Sequence, residues 1–354
     1  MPHVLDKLGL DDAWQAVARD AGYGAASLAR VVSEQRGLYL VHDGTSEAWA
    51  STAGRLRHAI DAATADRPAV GDFVVLRASG EGEDSAQRVI EHGLPRRACI
   101  VRKAAGKASA PQVIAANVDT AFIVCGLSLR NDREVSARRI ERLAAMALDG
   151  GAQPVIVLNK ADAHDDVPAM LERAQAAAPG LAVHAVSAKT GAGLEGLAPY
   201  LEPGRTVVLI GSSGAGKSTL ANGWLGTALL ATAAVDADGR GRHTSRARQL
   251  LRTPHGVLVI DTPGVREAGL WGGDDAAHGE GVERTFEEIT ALAAQCRFSD
   301  CKHAREPGCA VQAALAAGQI DGARLESFQR LRHEQAVSTK NSGGRRSPSR
   351  PARS

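Results

Sequence analysis

RTVVLIGSSGAGKSTLANGWL, residues 205–225, decides the fold of this chain. RTVVLIG is a continuous apolar run of the kind found in strands buried on both faces of a parallel sheet. STLANGWL opens a helix. Between them GSSGAGKS (211–218) fits the phosphate-binding pattern G-x-x-x-x-G-K-[ST]. Its glycines let backbone N–H groups wrap phosphates, and the helix N-terminus adds a favourable dipole. Lys217 is placed to reach β- and γ-phosphates and Ser218 to ligate Mg²⁺. A glycine-rich turn without a ligand is the plain alternative, and the complete pattern in strand–loop–helix context argues against it.

Other strand ends carry the remaining parts of a nucleotide site. Asn159-Lys160-Ala161-Asp162 follows the apolar run PVIVL, and Ser187-Ala188-Lys189 follows LAVHAV. A carboxylate at Asp162 accepts both N1–H and the N2 amine of guanine, whereas adenine leaves it unpaired. A backbone N–H in the second motif suits the guanine O6, and the stems of Lys160 and Lys189 suit the faces of the base. Asp261-Thr262-Pro263-Gly264 ends the run GVLVI, with Asp261 placed for Mg²⁺ through water and the Gly264 N–H for the γ-phosphate. Thr244, within GRHTS, is the candidate switch residue closing over Mg²⁺ and γ-phosphate. Each motif alone is ambiguous; together, at strand ends of one expected sheet, they specify GTP. Their order is permuted, because NKAD and SAK precede the phosphate loop.

Catalysis reads as incomplete. Val265 follows DTPG, where many GTPases place a glutamine that orients the attacking water. Slow intrinsic hydrolysis, accelerated by a partner, is the expectation. His243 is the nearest titratable side chain for that water, with a solvent- or RNA-facing histidine as the alternative reading.

Around this centre the 354 residues divide into an α/β chain of several parts. Residues 1–27 read as a short helical lead-in. Residues 28–114 hold the runs LARVVSEQ, GLYLVHD, EAWAST, DFVVLRA and AQRVIEH, which fit an OB-like N-terminal β-barrel suited to RNA. Residues 115–270 form the central permuted P-loop GTPase domain, a doubly wound sheet whose ligand lies beyond the carboxyl ends of its strands. Residues 271–337 form a C-terminal helical zinc-binding domain, and residues 338–354 a basic, disordered tail. In that helical part CRFSDCKHAREPGC brings Cys296, Cys301, His303 and Cys309 together, a full tetrahedral set for one structural Zn²⁺. Reduced cysteines beside an incidental histidine are the alternative. Net charge is only +2, so charge argues locally: Arg96–Lys107 and Arg240–Arg252 are acid-free basic clusters, candidate phosphate-backbone footprints or ordinary solvated surface. No run is long and apolar enough for a membrane span, and the start has no signal-type core, so a cytoplasmic location with no membrane partner is expected. Nothing marks an obligate oligomer, and a monomer is expected.

The series NKAD…SAK…GSSGAGKS…GRHT…DTPG, with CRFSDCKHAREPGCAV behind it and VGDFV (70–74) and VIAANVDTAFIV (113–124) ahead, resembles the ribosome small-subunit-dependent GTPase A family over residues 28–335. The resemblance implies an OB barrel, a permuted GTPase domain and a zinc domain. It also implies a GTP hydrolase of late small-subunit maturation, stimulated by the subunit and its rRNA. By position it assigns nucleotide binding to Gly211, Ser212, Ser213, Gly214, Ala215, Gly216, Lys217, Ser218 and Thr219, to Asn159–Asp162 and to Ser187–Lys189. Zinc falls to Cys296, Cys301, His303 and Cys309. Family members commonly carry more threonines after GRHT, where this chain has Ser245 and Arg246. The rival function is a GTP-dependent RNA-binding checkpoint or scaffold in which hydrolysis only resets binding.

Overall fold

The structure is a computed structural model that describes residues 4–24, 27–35, 37–62, 66–77, 87–103, 111–128, 135–226, 248–261 and 280–341. A 3-10 turn at Val4–Leu8 leads into α1 (Asp12–Asp20), capped by the Asp11 carboxylate on the Trp14 N–H at 2.9 Å. Five strands follow: β1 (Leu28–Gln35), β2 (Leu38–His42), β3 (Glu47–Thr52), β4 (Phe73–Leu76) and β5 (Gln87–Gly93), with α2 (Gly54–Asp61) between β3 and β4. They pair in the order 1-2-3-5-4, and β4 returns to β1, with Ala29 opposite Val74, which closes the barrel. All five apolar runs read from the sequence are strands. Alternation sets their faces: Tyr39, Val41 and Ala50 point into the barrel core, while Leu38 and Trp49 stay 39% and 38% exposed.

A two-stranded hairpin, β6 (Cys99–Lys103) and β7 (Pro111–Ala116), leads out of the barrel. The next strands are β8 (Thr120–Gly126), β9 (Gln153–Asn159), β10 (Ala182–Val186), β11 (Thr206–Gly211), β12 (Gln249–Arg252) and β13 (Leu258–Asp261). They lie in the order 10-9-8-11-13-12, parallel except for β12. The helices around them are α3 (Ala137–Asp149), α4 (Val167–Ala177) and α5 (Lys217–Leu225). The strand interiors are sealed on both sides, with Ile123, Ile156 and Ile210 in one core and Phe122, Val157 and Leu209 in the other.

Barrel and sheet share an apolar core, and in particular two links tie β1 to the sheet. Arg30 of β1 is fully buried and donates to Gly71 O (3.1 Å), to Thr206 Oγ1 at the start of β11 (2.9 Å) and to Leu8 O, with its guanidinium 4.9 Å from the Phe73 ring centre. One side chain thus clamps lead-in, barrel and sheet. Secondly, β12 pairs with β1 at a single position, Ser33 opposite Gln249. Asp261 lies opposite Gln249, Ser33 opposite Leu40 and Leu40 opposite Trp49, so one cross-strand rung runs from the end of β13 to the outer barrel face.

The C-terminal part comprises α6 (Glu280–Thr285), α7 (Glu287–Ala293), α8 (Ala310–Ala316) and α9 (Gly322–Asn341). Backbone helix in α9 continues past residue 337, four residues into the segment expected to be disordered. Of these helices α6 and α9 dock on α3. A Cβ on Gly281 would lie 2.2 Å from Ala145 O, so α6 approaches α3 as only glycine allows. Arg324 donates to Glu141 (3.2 Å), Ala177 O (2.7 Å), Thr285 O (2.7 Å) and Glu288, with Phe286 beneath it. Arg142 grips Glu334 with two bonds of 2.8 Å.

Within the basic stretch 96–107, two arginines are engaged by the protein itself. Arg96 is buried and holds Asp72 with two bonds of 2.8 and 2.7 Å, and Arg97 pairs with Asp11 while lying 4.5 Å from the Trp14 ring centre. The Arg96 guanidinium is spent inside the protein and that of Arg97, 39% exposed, in an ion pair at its surface, which no count of like charges along a sequence reveals. In the second cluster Arg248 donates to Val113 O at 3.3 Å, and Arg240, Arg242 and Arg246 lie outside the described residues.

Candidate nucleotide-binding and metal sites

Parallel strands deliver their loops to one edge. β9 ends at Asn159, β10 at Val186 just before Ser187, β11 at Gly211, and Asp261 closes β13 beside β11. The sheet therefore brings together the three motif loops that lie far apart in the chain. The phosphate-loop glycines adopt conformations that side chains resist: Gly211, Gly214 and Gly216 have φ of 139°, 79° and 90°. A Cβ at Gly211 would meet Val124 O at 2.2 Å. Ser213 and Gly214 face solvent, Ala215 is buried and Lys217 begins α5. The Lys217 ammonium donates to Gly211 O at 2.9 Å and to Ser212 O, folding the side chain back across its own loop.

Asn159, 1% exposed, is the hub. Its Nδ2 donates to Ala215 O in the phosphate loop (2.9 Å), and its Oδ1 accepts from the Ala188 N–H (3.0 Å). One amide thus locks the phosphate loop to the loop after β10. A Cβ on Gly216 would lie 2.2 Å from that Nδ2 and 3.9 Å from Lys160 Cε. Lys160 itself has φ 66°, a left-handed turn that carries the chain into the short 3-10 turn Ala161–Ala163. Ser187 donates from Oγ to Asp162 Oδ1 at 2.6 Å and accepts from Thr190 N–H at 3.1 Å, fixing the direction of an exposed carboxylate before any ligand arrives. Lys189 is exposed beside it, and Ser218 and Thr219 follow Lys217 in the first turn of α5.

A loop of this kind, rich in backbone N–H groups and next to a lysine, holds phosphates. A fixed carboxylate at hydrogen-bond reach of a base selects guanine. Asp261 supplies a further carboxylate on the strand next to the loop. His243, Thr244, Thr262, Gly264 and Val265 lie outside the described residues. Sequence reading missed Gly126 at the end of β8, where a Cβ would stand 2.8 Å from Ala215 Cα, and the bridging part played by Asn159. The glycine closing the apolar run TAFIVCG was the available signal for the first.

The second cluster sits between α7 and α8. Cys296, Cys301, His303 and Cys309 place one ligand atom each within 4.8 Å of one another. Cys296 Sγ lies 3.8 Å from Cys309 Sγ and 3.6 Å from His303 Nδ1, and Cys309 Sγ is also 3.6 Å from Nδ1. A tetrahedron with zinc–sulfur bonds of about 2.3 Å has edges of roughly 3.8 Å, so the donor set fits Zn²⁺ in both chemistry and size. His303 takes φ 56°, and its carbonyl accepts from Gln312 Nε2 (2.6 Å) and Gln329 Nε2 (3.0 Å), which fixes the backbone that carries the ring. Glu306 accepts from the N–H groups of Ala304, Lys302 and Arg305 (2.8, 3.1 and 3.0 Å), and these bonds hold its carboxyl down to about 2.

Comparison with known proteins agrees with this geometry. Residues 93–271 match the family described as RsgA GTPase. The chain is similar to the small ribosomal subunit biogenesis GTPase RsgA of Opitutus terrae, 45% identical over 346 residues that cover 95% of this chain and 91% of that protein. The protein of the same name from Xanthomonas campestris pv. campestris is 43% identical, covering 99% and 96%. Among solved structures, YjeQ from Thermotoga maritima superimposes with a TM-score of 0.61 at 24% identity, covering 88% of this chain and 98% of that one. YloQ, described as a circularly permuted GTPase, gives 0.58 at 21% identity over 88% and 95%. At those identities the two structures speak for the fold alone.

Proposed function

The chain belongs to the RsgA GTPase family and hydrolyses GTP, and from that premise we propose that it does so in late maturation of the small ribosomal subunit, which stimulates the reaction. The observation that carries the site assignment is the Asn159 bridge, which joins the NKAD, SAK and phosphate loops at one sheet edge. Gly211–Thr219 hold the phosphates through backbone N–H groups. Lys217 neutralises the charge that grows between β- and γ-phosphates as their bond breaks. Asp162, aimed by Ser187, reads guanine, and the stems of Lys160 and Lys189 cover its faces. Ser218, Asp261 and Thr244 would hold Mg²⁺, which supplies charge neutralisation at the β- and γ-oxygens. Gly264 and Thr244 are assigned to the γ-phosphate and His243 to the attacking water. Cys296, Cys301, His303 and Cys309 hold one structural Zn²⁺. The partner is rRNA of the small subunit, the working form a monomer, and the compartment the cytoplasm.

The test is phosphate release from GTP and ATP by purified protein with and without small ribosomal subunits. Release confined to GTP and raised many-fold by subunits is expected. Equal rates with and without subunits would leave a GTPase with a different activator, and equal use of ATP would overturn the base-reading role of Asp162.

A further inference from the structure

Four large apolar side chains stand out from the described surface: Leu38, Trp49, Phe298 and Val337. Phe298 differs from the others in its setting. It sits on the metal loop between Cys296 and Cys301, where its carbonyl accepts the Cys301 N–H at 3.3 Å, so the loop that gathers the zinc ligands also presents the ring. Arg297 lays its guanidinium 5.4 Å from the ring centre. That arginine is itself bedded down, because its N–H donates to Gly308 O at 3.1 Å and its stem lies against Gly308, whose φ is 76°. With a cation over it, the ring still remains 41% exposed. It lines a groove of about 520 Å³ whose cations are Lys302 and Arg332, with His333 beside them and Asp300 as the acid of the lining. Arg332 is only loosely paired, 3.7 Å from Glu283, and is 49% exposed.

We propose that this groove seats one unstacked base of single-stranded RNA on Phe298, with Lys302 and Arg332 taking the flanking phosphates. The inference rests on the reading that the chain works on small-subunit rRNA, and it names a contact within that partner. Exposed aromatic rings stack bases of any identity, an arginine on the ring adds cation–π attraction, and lysines beside it follow the backbone. Duplex RNA keeps its bases stacked and cannot use the ring. An acidic peptide would use the cations and leave the ring idle.

The experiment uses the full-length zinc-loaded protein and a single-stranded RNA of about ten nucleotides carrying 2-aminopurine, titrated at several salt concentrations. Phe298→Ala is expected to weaken binding roughly five- to a hundred-fold, to abolish quenching of the 2-aminopurine and to leave the salt slope unchanged. Phe298→Trp keeps the affinity. Lys302→Ala instead lowers the slope by about one. Zinc content equal to wild type in each variant shows that the loop is intact. An affinity for Phe298→Ala within two-fold of wild type, with quenching intact, overturns the proposal. So does competition by an acidic peptide for a groove that RNA does not occupy. Sedimentation with small subunits separates the two levels. Wild-type protein that fails to co-sediment sinks the ribosomal reading itself, whereas retained co-sedimentation with a silent Phe298→Ala sinks the base seat alone.

Discussion

Asn159 has both ends of its amide committed, one to the phosphate loop and one to the loop after β10. Asn159→Ala orphans the Ala215 carbonyl and the Ala188 N–H together, and each buried orphan costs about 1–3 kcal/mol. Nucleotide Kd is expected to rise at least ten-fold for GDP and GTP alike in calorimetric titration; an unchanged Kd would mean that the loops hold themselves. Gly216→Ala tests the same spot from the other side. Its Cβ would enter at 2.2 Å from Asn159 Nδ2 on a backbone with φ 90°, so nucleotide binding is expected to vanish and the apo-protein to lose a few degrees in Tm. The motif residues here were legible because phosphate and guanine chemistry demand those residue types at those places. The Asn159 bridge was not, since it depends on β9 and β11 being brought to a common edge with only β8 between them.

At the scale of elements, the zinc loop is tied to α8 and α9 by the contacts of Gln312 and Gln329, one from each helix, to the His303 carbonyl. Chelation is expected to release one zinc per chain and to unpack α8 and α9, seen as lost helical circular dichroism, with GTP affinity preserved because the phosphate loop lies on other elements. Loss of GTP binding together with zinc would show the two sites to be one cooperative unit. Docking on α3 has its own probe. Glu141, 3% exposed, has its carboxyl raised by burial and opposed by hydrogen bonding and charge from Ser327 and Arg324. Arg324→Met strands that carboxylate, and a loss of about 3 kcal/mol is expected in denaturant unfolding. The apolar strand runs announced their elements because burial on both faces leaves no other composition. The hairpin β6–β7 and the short strand β12 went unread, since QLLR is too brief to show a period and its neighbours are set by tertiary pairing.

Lead-in, barrel, sheet and C-terminal helices share one apolar core, and a few buried polar side chains link these parts across it. Arg30, whose pKa burial lowers to about 10, still carries its charge at neutral pH and satisfies acceptors from three parts of the chain. Arg30→Lys cannot reach all three, and about 1–3 kcal/mol per stranded acceptor should appear as a fall of several degrees in Tm and faster proteolysis between barrel and sheet. An unchanged digestion pattern would place the clamp elsewhere. The rung from Asp261 through Gln249, Ser33 and Leu40 to Trp49 takes four strand-to-strand steps, about 19 Å at about 4.8 Å per step. Every joint on it belongs to a ladder of several residue pairs except one, Ser33 with Gln249. Across that joint the Ser33 hydroxyl also reaches Arg248 O at 3.1 Å, so any displacement of Asp261 crosses to the barrel through one backbone pair and one hydroxyl contact, whereas the barrel's own closure rests on three pairs between β1 and β4.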